Sequence, residues 1–286
     1  MTVWGSGYLA TKIGIQYAAP FTFLSLRYAF GLACLVPVLL LMRPPWPATP
    51  RELAHVVAAG LLMHGIQLSG SHYAQYLGLS AGVVALILSV QPLLTALAAK
   101  RWMHERLAPR QWTGIALGLA GVLLVVWHKI DVREMTLGAL VAITVSLAGV
   151  TAGTLYQRVF CPTVNLTSAA WVQFAASLAL LAPLAFAFEG ARVQWAWALF
   201  GSIAFLVVFA SIFAVNALHT LMRHGQATKV TSILYLPPVV AAVLEYLLFG
   251  VVPSALTFAG IAVTCAGVAL VTARAQRPAA ALRGGG

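Results

Sequence analysis

The chain has 286 residues, of which 61% are hydrophobic and only 8% are charged, and its mean hydropathy is +0.92. Soluble domains carry about 25% charged residues, so 17 basic and 6 acidic side chains are too few to cover a soluble fold of this size. The formal net charge is +11, but the basic residues lie between apolar runs instead of on one polar face, so we expect no nucleic-acid partner. The composition predicts an integral membrane protein.

Apolar runs of the roughly 20 residues needed to cross a bilayer recur along the chain with short gaps. Helix-ending residues stand in these gaps, at Pro44, Pro109, Pro162, Gly190 and Pro253. Loops this short leave no room for a soluble domain. The pattern predicts an all-α membrane protein with ten transmembrane helices, at 1–17, 22–42, 53–77, 80–99, 110–127, 135–157, 167–188, 195–219, 226–249 and 254–273.

The lysines and arginines set the predicted orientation. If the N-terminus is cytoplasmic, the cytoplasmic side carries twelve of them and the outer loops carry only Lys129, Arg133 and Arg192. Cytoplasmic loops of membrane proteins carry the excess of positive charge. We therefore predict a multi-pass protein of a bacterial-type plasma (inner) membrane with both termini cytoplasmic. The first apolar run has no preceding basic segment and contains Lys12, so we expect no cleavable signal peptide.

The sequence is similar to itself at a constant offset of 146 residues. The pairs in this register include Gly7 with Gly153, Lys12 with Arg158, Pro37 with Pro183, Pro92 with Pro238, Gly114 with Gly260, and Gly121 with Gly267. The two halves, 1–128 and 135–273, hold five predicted helices each, and 274–286 forms a cytoplasmic tail. Because five is odd, the halves lie in opposite orientations, as in the inverted repeats of alternating-access transporters. The sixth helix begins near residue 135, so its mate would begin about ten residues before Met1, and we expect a clipped first helix.

Several motifs carry a family resemblance. They are Trp4-Gly5-Ser6-Gly7, Leu88-Ser89-Val90-Gln91-Pro92, Glu105-Arg106-Leu107 and the spacing of Gly114 and Gly121. With these motifs the chain resembles, over nearly its whole length, the ten-helix EamA-type members of the drug/metabolite transporter superfamily, and most of all the YddG-type exporters of aromatic and other neutral amino acids. The resemblance implies export by alternating access. The chain departs from the family pattern after the ninth helix, where Gly250-Val251 replaces the usual acidic residue.

The third predicted helix carries four polar residues at spacings of three and four, namely His64, Gln67, Ser71 and Gln75. That spacing places them on one face, which would be costly to expose to lipid. The face either lines a cavity, which we favour, or binds a neighbouring helix. The repeat-related positions 210, 213, 217 and 221 are apolar, which predicts a cavity with one polar and one apolar wall. Gln91 and Asn216 are further polar candidates for substrate binding.

Aromatic residues lie inside predicted helices at Trp4, Tyr8, Tyr156, Trp171 and Tyr235. Together they are candidates for a box around an apolar or aromatic substrate group, although each taken singly is also explained by packing.

Prolines interrupt two helices that the repeat relates, at Pro92 and at Pro237 and Pro238. Each removes a backbone hydrogen bond. Irregular backbone at membrane depth is tolerated where it faces protein or a wet cavity. We predict a paired hinge or gate at the substrate site, and a passive kink is the alternative.

Four charged residues fall within or at the edges of predicted helices, at Lys12, Arg27, Arg158 and Glu245. A charge inside a bilayer is costly, so a function is the default interpretation. Lys12 is a candidate for binding a substrate carboxylate. Glu245 is a candidate for pairing with a substrate ammonium, a basic side chain or a proton. Arg27 and Arg158 lie near helix ends and are long enough to reach the interface.

Small residues predict close packing of the fifth and tenth helices as structural braces; they are Gly114, Gly118 and Gly121 on the fifth and Gly260, Thr264 and Gly267 on the tenth. A homodimer contact there is an alternative, so we expect either a monomer or a homodimer.

Catalytic motifs are missing from the sequence. It contains no H-E-x-x-H, G-x-S-x-G or phosphate-binding loop pattern. Its three cysteines have neither metal-site nor redox spacing. We therefore expect no enzyme activity and no cofactor or metal, and predict a secondary transporter for a small-molecule substrate. The alternatives are a carrier of another metabolite or drug and a non-transporting membrane scaffold or sensor.

Overall fold

The computed structural model of the chain describes residues 2–103, 107–131, 135–208 and 237–272. This part is helical and has no strand beyond one isolated bridge between Ala18 and Val193. The helices are α1 (Thr2–Gly14), α2 (Pro20–Met42), α3 (Pro50–Gly60), α4 (Gln67–Tyr76), α5 (Ala81–Leu88), α6 (Gln91–Met103), α7 (Pro109–Asp131), α8 (Leu137–Phe160), α9 (Leu166–Leu184), α10 (Trp197–Ala204), α11 (Pro237–Phe249) and α12 (Ala255–Thr272). Wide π-helical turns at Leu61–Ile66 and Ala185–Glu189 connect α3 to α4 and extend α9.

Six helical segments of the described residues are long and apolar enough to cross a membrane. They are Pro20–Met42, Pro50–Tyr76, Ala81–Arg101, Pro109–His128, Leu137–Phe160 and Leu166–Glu189. Shorter apolar helices occur at Trp197–Val208, Pro237–Phe249 and Ala255–Val271. The prediction of an all-helical, multi-span membrane protein is confirmed for these ranges, whereas the count of ten remains a prediction.

The surface of the bundle is apolar. Leu41, Trp127, Phe188 and Trp197 are each between 75% and 91% exposed. Soluble monomers rarely expose apolar patches on this scale, so lipid is the medium that covers them. Trp127 and Trp197 lie at helix ends, where interfacial tryptophans are common.

Side-chain caps begin several helices where the sequence offers a hydroxyl or an amide. Ser80 accepts a hydrogen bond from the backbone N–H of Val83, and Thr136 accepts one from Ala139. Asn165 accepts one from the N–H of Thr167. Such caps satisfy backbone donors that the first turn of a helix leaves free.

Helices α7 and α12 pack closely through glycines. A Cβ atom added at Gly114 would lie 2.6 Å from the carbonyl oxygen of Gly267, and one added at Gly121 would lie 2.8 Å from that of Gly260. Advancing along α7 therefore corresponds to going back along α12, so the two helices are antiparallel.

Helices α2 and α9 form a second close pair. Leu24 packs with Leu181, and Gly31 contacts the ring of Phe174. Here too the order of the contacts is reversed along the partner, so this pair is antiparallel.

The fourth predicted helix, 80–99, is not continuous. Helix α5 ends at Leu88, a turn occupies Ser89 and Val90, and α6 begins at Gln91. Pro92 cannot donate the backbone hydrogen bond that would continue the helix past Leu88. The Ser89 hydroxyl instead donates to the carbonyl oxygen of Leu86 at 2.6 Å.

Candidate substrate cavity

A cavity of about 340 Å³ lies inside the bundle, within the roughly 300–1,000 Å³ typical of small-molecule sites. Helices α1, α2, α4, α5, α6, α11 and α12 surround it together with Leu206, which follows α10. The lining residues are Gly7, Tyr8, Thr11, Arg27, Gln67, Leu68, Ser71, His72, Gln75, Ala85, Leu88, Ser89, Gln91, Pro92, Leu206, Pro237, Pro238 and Val268.

Helix α4 supplies most of the polar wall. Gln67, Ser71 and Gln75 face the cavity as their spacing predicted, and His72 lies beside them. The Ser71 hydroxyl donates to the carbonyl oxygen of Leu68 at 3.0 Å. The Nε2 atom of His72 lies 3.5 Å from the Thr11 hydroxyl oxygen, so α1 and α4 share one polar surface.

His64 is the member of the predicted stripe that does not line the cavity. It lies in the π-helical turn Leu61–Ile66, where the i to i+5 hydrogen bonds widen the turn and shift the register of the face. Its ring packs against Phe174 at 5.1 Å and against Tyr28 at 6.2 Å between centroids. Of the two alternatives for the stripe, the structure therefore shows contact with neighbouring helices for His64, because the π-helical turn moves this residue off the face that lines the cavity.

The helix break places Ser89, Gln91 and Pro92 at the cavity. The side-chain amide of Gln91 donates to the hydroxyl of Thr154 at 3.2 Å, which ties α6 to α8. Irregular backbone at this depth agrees with the rule that it occurs where a cavity or protein covers it.

Pro237 and Pro238 line the cavity from the start of α11. A glycine makes the approach of α11 to α1 possible, because a Cβ atom at Gly5 would lie 2.7 Å from the Cβ of Val240 and 3.0 Å from the carbonyl oxygen of Pro237. This contact explains why the first helix needs a glycine in the Gly5-Ser6-Gly7 segment.

Lys12 of α1 and Glu245 of α11 form an ion pair, with 2.5 Å between Nζ and Oε1, and neither is among the residues that line the cavity. Glu245 is only 2% exposed and also accepts hydrogen bonds from the backbone N–H groups of Ala81 and Gly82, each at 3.0 Å. The carboxylate therefore joins α1, the N-terminus of α5 and α11. The sequence left a substrate ammonium, a basic side chain or a proton as partners of Glu245, and the structure shows it paired with a basic side chain, that of Lys12.

Arg27 lines the cavity from α2, although a reach toward the helix end was the expectation from sequence. Helix α2 packs against α4 and α9, and this position directs Arg27 inward.

The structure does not bring every predicted site residue to the cavity. Trp171 packs edge-to-face on Trp46 with 5.7 Å between ring centroids, in a cluster with Val56 and Val172. The side chain of Trp4 lies outside the described part of the structure. Asn216, Tyr235 and the apolar wall at 210, 213, 217 and 221 also lie outside the described residues, as does Glu105.

Thr11, His72 and Ser89 line the cavity without having been predicted. The sequence contained a positional signal for two of them. Thr11 lies one helical turn after Gly7 and Tyr8, and His72 adjoins the α4 stripe. Ser89 enters the cavity because of the helix break, which the sequence indicated only through Pro92.

A multi-span helical bundle that encloses a cavity with polar and apolar lining residues is an architecture found in membrane carriers. The sequence model of the EamA-like transporter family matches residues 1–127 and 136–273. The chain therefore belongs to the EamA-like transporter family.

Several relatives carry names that describe them as transporters or as an efflux pump. A chain of Escherichia coli (strain K12) named "Uncharacterized inner membrane transporter YedA" is 27% identical over 270 residues, 94% of this chain and 87% of that one. "Uncharacterized transporter YvbV" of Bacillus subtilis (strain 168) is 25% identical over 99% of this chain and 92% of its own. A "Probable amino-acid metabolite efflux pump" of Escherichia coli (strain K12) is 26% identical over 137 residues, 48% of this chain and 44% of that protein.

The fold has a counterpart among solved structures. One chain, titled "Crystal structure of protein", matches with a TM-score of 0.61 at 19% identity, covering 94% of this chain and 93% of its own. At this identity the match shows a shared fold and nothing about substrates.

Proposed function

We propose that the chain is a secondary transporter that exports amphipathic small metabolites, with aromatic and other neutral amino acids as the substrate class. The observation that carries the proposal is the cavity, in which polar groups of α1 and α4 face apolar groups such as Leu88, Leu206 and Val268. A ligand with a polar head and an apolar side chain fits such a surface. The similarity to a protein named as an amino-acid metabolite efflux pump supports the same class.

Alternating access between two inverted five-helix repeats, ten helices in all, is the proposed mechanism. The antiparallel packing of α7 on α12 and of α2 on α9 supports it, because the sequence repeat relates the members of each pair. The family model also matches the chain twice. The cavity takes residues from both halves, as expected for a substrate site at a repeat interface.

The gate is assigned to the broken helix at Pro92 and to Pro237 and Pro238. A proline-interrupted helix has fewer backbone hydrogen bonds to hold its two parts in line. The Lys12–Glu245 pair connects α1 to α11 and thus the first half to the second. Rearrangement of the halves would have to break this pair or move it as a unit, which makes it the candidate for charge coupling.

The proposed location is a bacterial inner membrane with both termini cytoplasmic. The name of the relative YedA and the asymmetric distribution of lysines and arginines support this location. The glycine surfaces of α7 and α12 face each other within one chain, which favours a monomer over a dimer built on them.

Counterflow in proteoliposomes tests the proposal. Vesicles containing the purified protein and loaded with unlabelled phenylalanine or threonine should accumulate the labelled amino acid above protein-free vesicles. Ser71→Leu, which replaces a cavity hydroxyl by a larger apolar group, should abolish this uptake. Thr144→Leu makes the same chemical change on the exposed face of α8 and should retain it. If no amino acid is taken up by the wild type, the proposed substrate class is wrong and the scaffold or sensor alternative gains weight.

A further inference from the structure

Arg27 differs from the other cavity residues in its permanent charge. It lies seven residues after the start of α2 at Pro20, which corresponds to a depth of about 10 Å along the helix. Among the described residues that line the cavity, it is the one with a side chain that is always ionised. A cation held away from water needs an anion or several hydrogen-bond acceptors.

Each acidic side chain that the structure describes is engaged elsewhere. Glu52 accepts a hydrogen bond from the backbone N–H of Ala48 in a loop. Glu189 caps the N-terminus of α2 by accepting from the backbone N–H groups of Phe21 and Thr22. Glu245 pairs with Lys12. The other three acids of the sequence lie at 105, 131 and 134, and the segment 209–236 contains none. Within the described side chains, Arg27 therefore has no counter-ion.

Gln75 provides a second, independent observation. It lines the same cavity and is 6% exposed, yet its Oε1 atom has no hydrogen-bond partner among the described residues. Buried carbonyl oxygens almost always accept a hydrogen bond, so this atom is ready to accept one from a ligand.

We propose that Arg27 binds the carboxylate of the transported ligand and that the Gln75 carbonyl oxygen accepts a hydrogen bond from its neighbouring ammonium. This inference rests on the proposed transport function and specifies which groups bind the substrate. A guanidinium donates two parallel hydrogen bonds to a carboxylate, and an amide carbonyl accepts from an N–H donor. Together they recognise the zwitterionic head of an α-amino acid, while Leu68, Leu88 and Val268 contact its side chain.

The site is selective against cations. A ligand that carries an ammonium without a carboxylate meets Arg27 with like charge in a medium of low dielectric constant. Cationic drugs and amines are therefore excluded. The repeat does not duplicate this cation. The position related to Arg27 is Gln173, which does not line the cavity and whose side-chain amide donates to Gln157 at 3.3 Å.

A set of matched ligands tests this assignment. The thermal stability of the purified full-length protein is measured with increasing phenylalanine, 3-phenylpropionate or 2-phenylethylamine, since a ligand stabilises by mass action. We expect phenylalanine and 3-phenylpropionate to stabilise the wild type and phenylethylamine to have no effect. Arg27→Gln should weaken both carboxylate ligands at least about 30-fold, in line with truncation of a buried charge pair. Arg27→Lys should weaken them less.

The remaining variants separate the two contacts. Gln75→Leu should weaken phenylalanine and leave 3-phenylpropionate unchanged, because the latter has no ammonium. Arg192→Gln removes the same charge from an exposed residue and should leave the binding of phenylalanine and of 3-phenylpropionate unchanged. If phenylalanine binds Arg27→Gln as tightly as the wild type, the assignment is overturned while the proposed transport stands. If 3-phenylpropionate binds through Arg27 but no amino acid is transported, the carboxylate site is supported and the amino-acid substrate class fails.

Discussion

Replacement of Glu245 by alanine is the perturbation whose effect the structure defines most fully. The carboxylate is 2% exposed and has three partners, namely the Lys12 ammonium at 2.5 Å and the backbone N–H groups of Ala81 and Gly82 at 3.0 Å. Alanine removes every one of these contacts. An ammonium without a counter-ion and two backbone donors at the start of α5 would remain without an acceptor.

The size of the effect follows from those lost contacts. Removing one partner of a buried ion pair costs about 3–5 kcal/mol, and each buried donor left without a partner costs about 1–3 kcal/mol. The Lys12 side chain is 23% exposed, so part of its charge stays solvated and the lower end applies. Taken at their lower ends, these costs come to about 5 kcal/mol. We therefore expect Glu245→Ala to lower the free energy of unfolding by about 5 kcal/mol, or the melting temperature by roughly 10–20 °C for a chain of this length.

Melting of the purified variants in lipid nanodiscs, followed by intrinsic tryptophan fluorescence, measures this loss. Lys12→Met should cost less than Glu245→Ala, because the carboxylate would keep both backbone donors at a helix N-terminus, where negative charge is favourable. In a double-mutant cycle with Glu245→Gln, the two changes should be non-additive. A melting temperature of Glu245→Ala within 2 °C of the wild type would refute the contacts described for this carboxylate.

Further outcomes follow from the packing and the cavity. Gly121→Leu should lower the melting temperature by roughly 6–12 °C, because overpacking costs about 1–3 kcal/mol and the upper end applies where the backbone of α12 lies 2.8 Å from the added Cβ. Gly201→Leu, at a glycine with nothing within 4 Å, is the matched control in the same melting assay. Pro92→Leu restores a backbone donor to the helix break and should leave the protein folded. Because a continuous helix resists the hinge motion, counterflow should slow at least about tenfold. Counterflow at the wild-type rate would contradict the gating role. Gln91→Leu removes the contact to Thr154 at 3.2 Å and should weaken amino-acid uptake, which a rise in the half-saturating concentration would show.

Local sequence patterns predicted those parts of the structure that depend on local geometry. The spacing of Gln67, Ser71 and Gln75 placed them on one face because α4 is a regular helix over those residues. The glycines of α7 and α12 indicated close packing because only a missing side chain permits the observed approach. The positions of the helices could likewise be predicted from apolar runs and prolines, because both act on the local backbone.

Features that depend on tertiary contacts or irregular backbone were not predictable in the same way. Lys12 and Glu245 are 233 residues apart along the chain, so no local pattern pairs them. The π-helical turn that removes His64 from the stripe leaves no clear sequence signal. Arg27 had the same surroundings in sequence as an arginine that reaches the interface, and only the packing of α2 directs it into the cavity. Trp171 was indistinguishable from a cavity aromatic until its contact with Trp46 was known.

Substrate-dependent labelling of the cavity from both sides of the membrane tests the transporter account most directly. Ser71→Cys, in a chain whose Cys34, Cys161 and Cys265 are replaced by alanine, places a single thiol in the cavity, and Thr144→Cys places one on the exposed face of α8 as a control. We predict that a membrane-impermeant maleimide reaches Ser71→Cys from either side and that phenylalanine slows both reactions without affecting the control. Labelling of Ser71→Cys from one side only, at a rate that phenylalanine does not change, would contradict alternating access to a single substrate cavity.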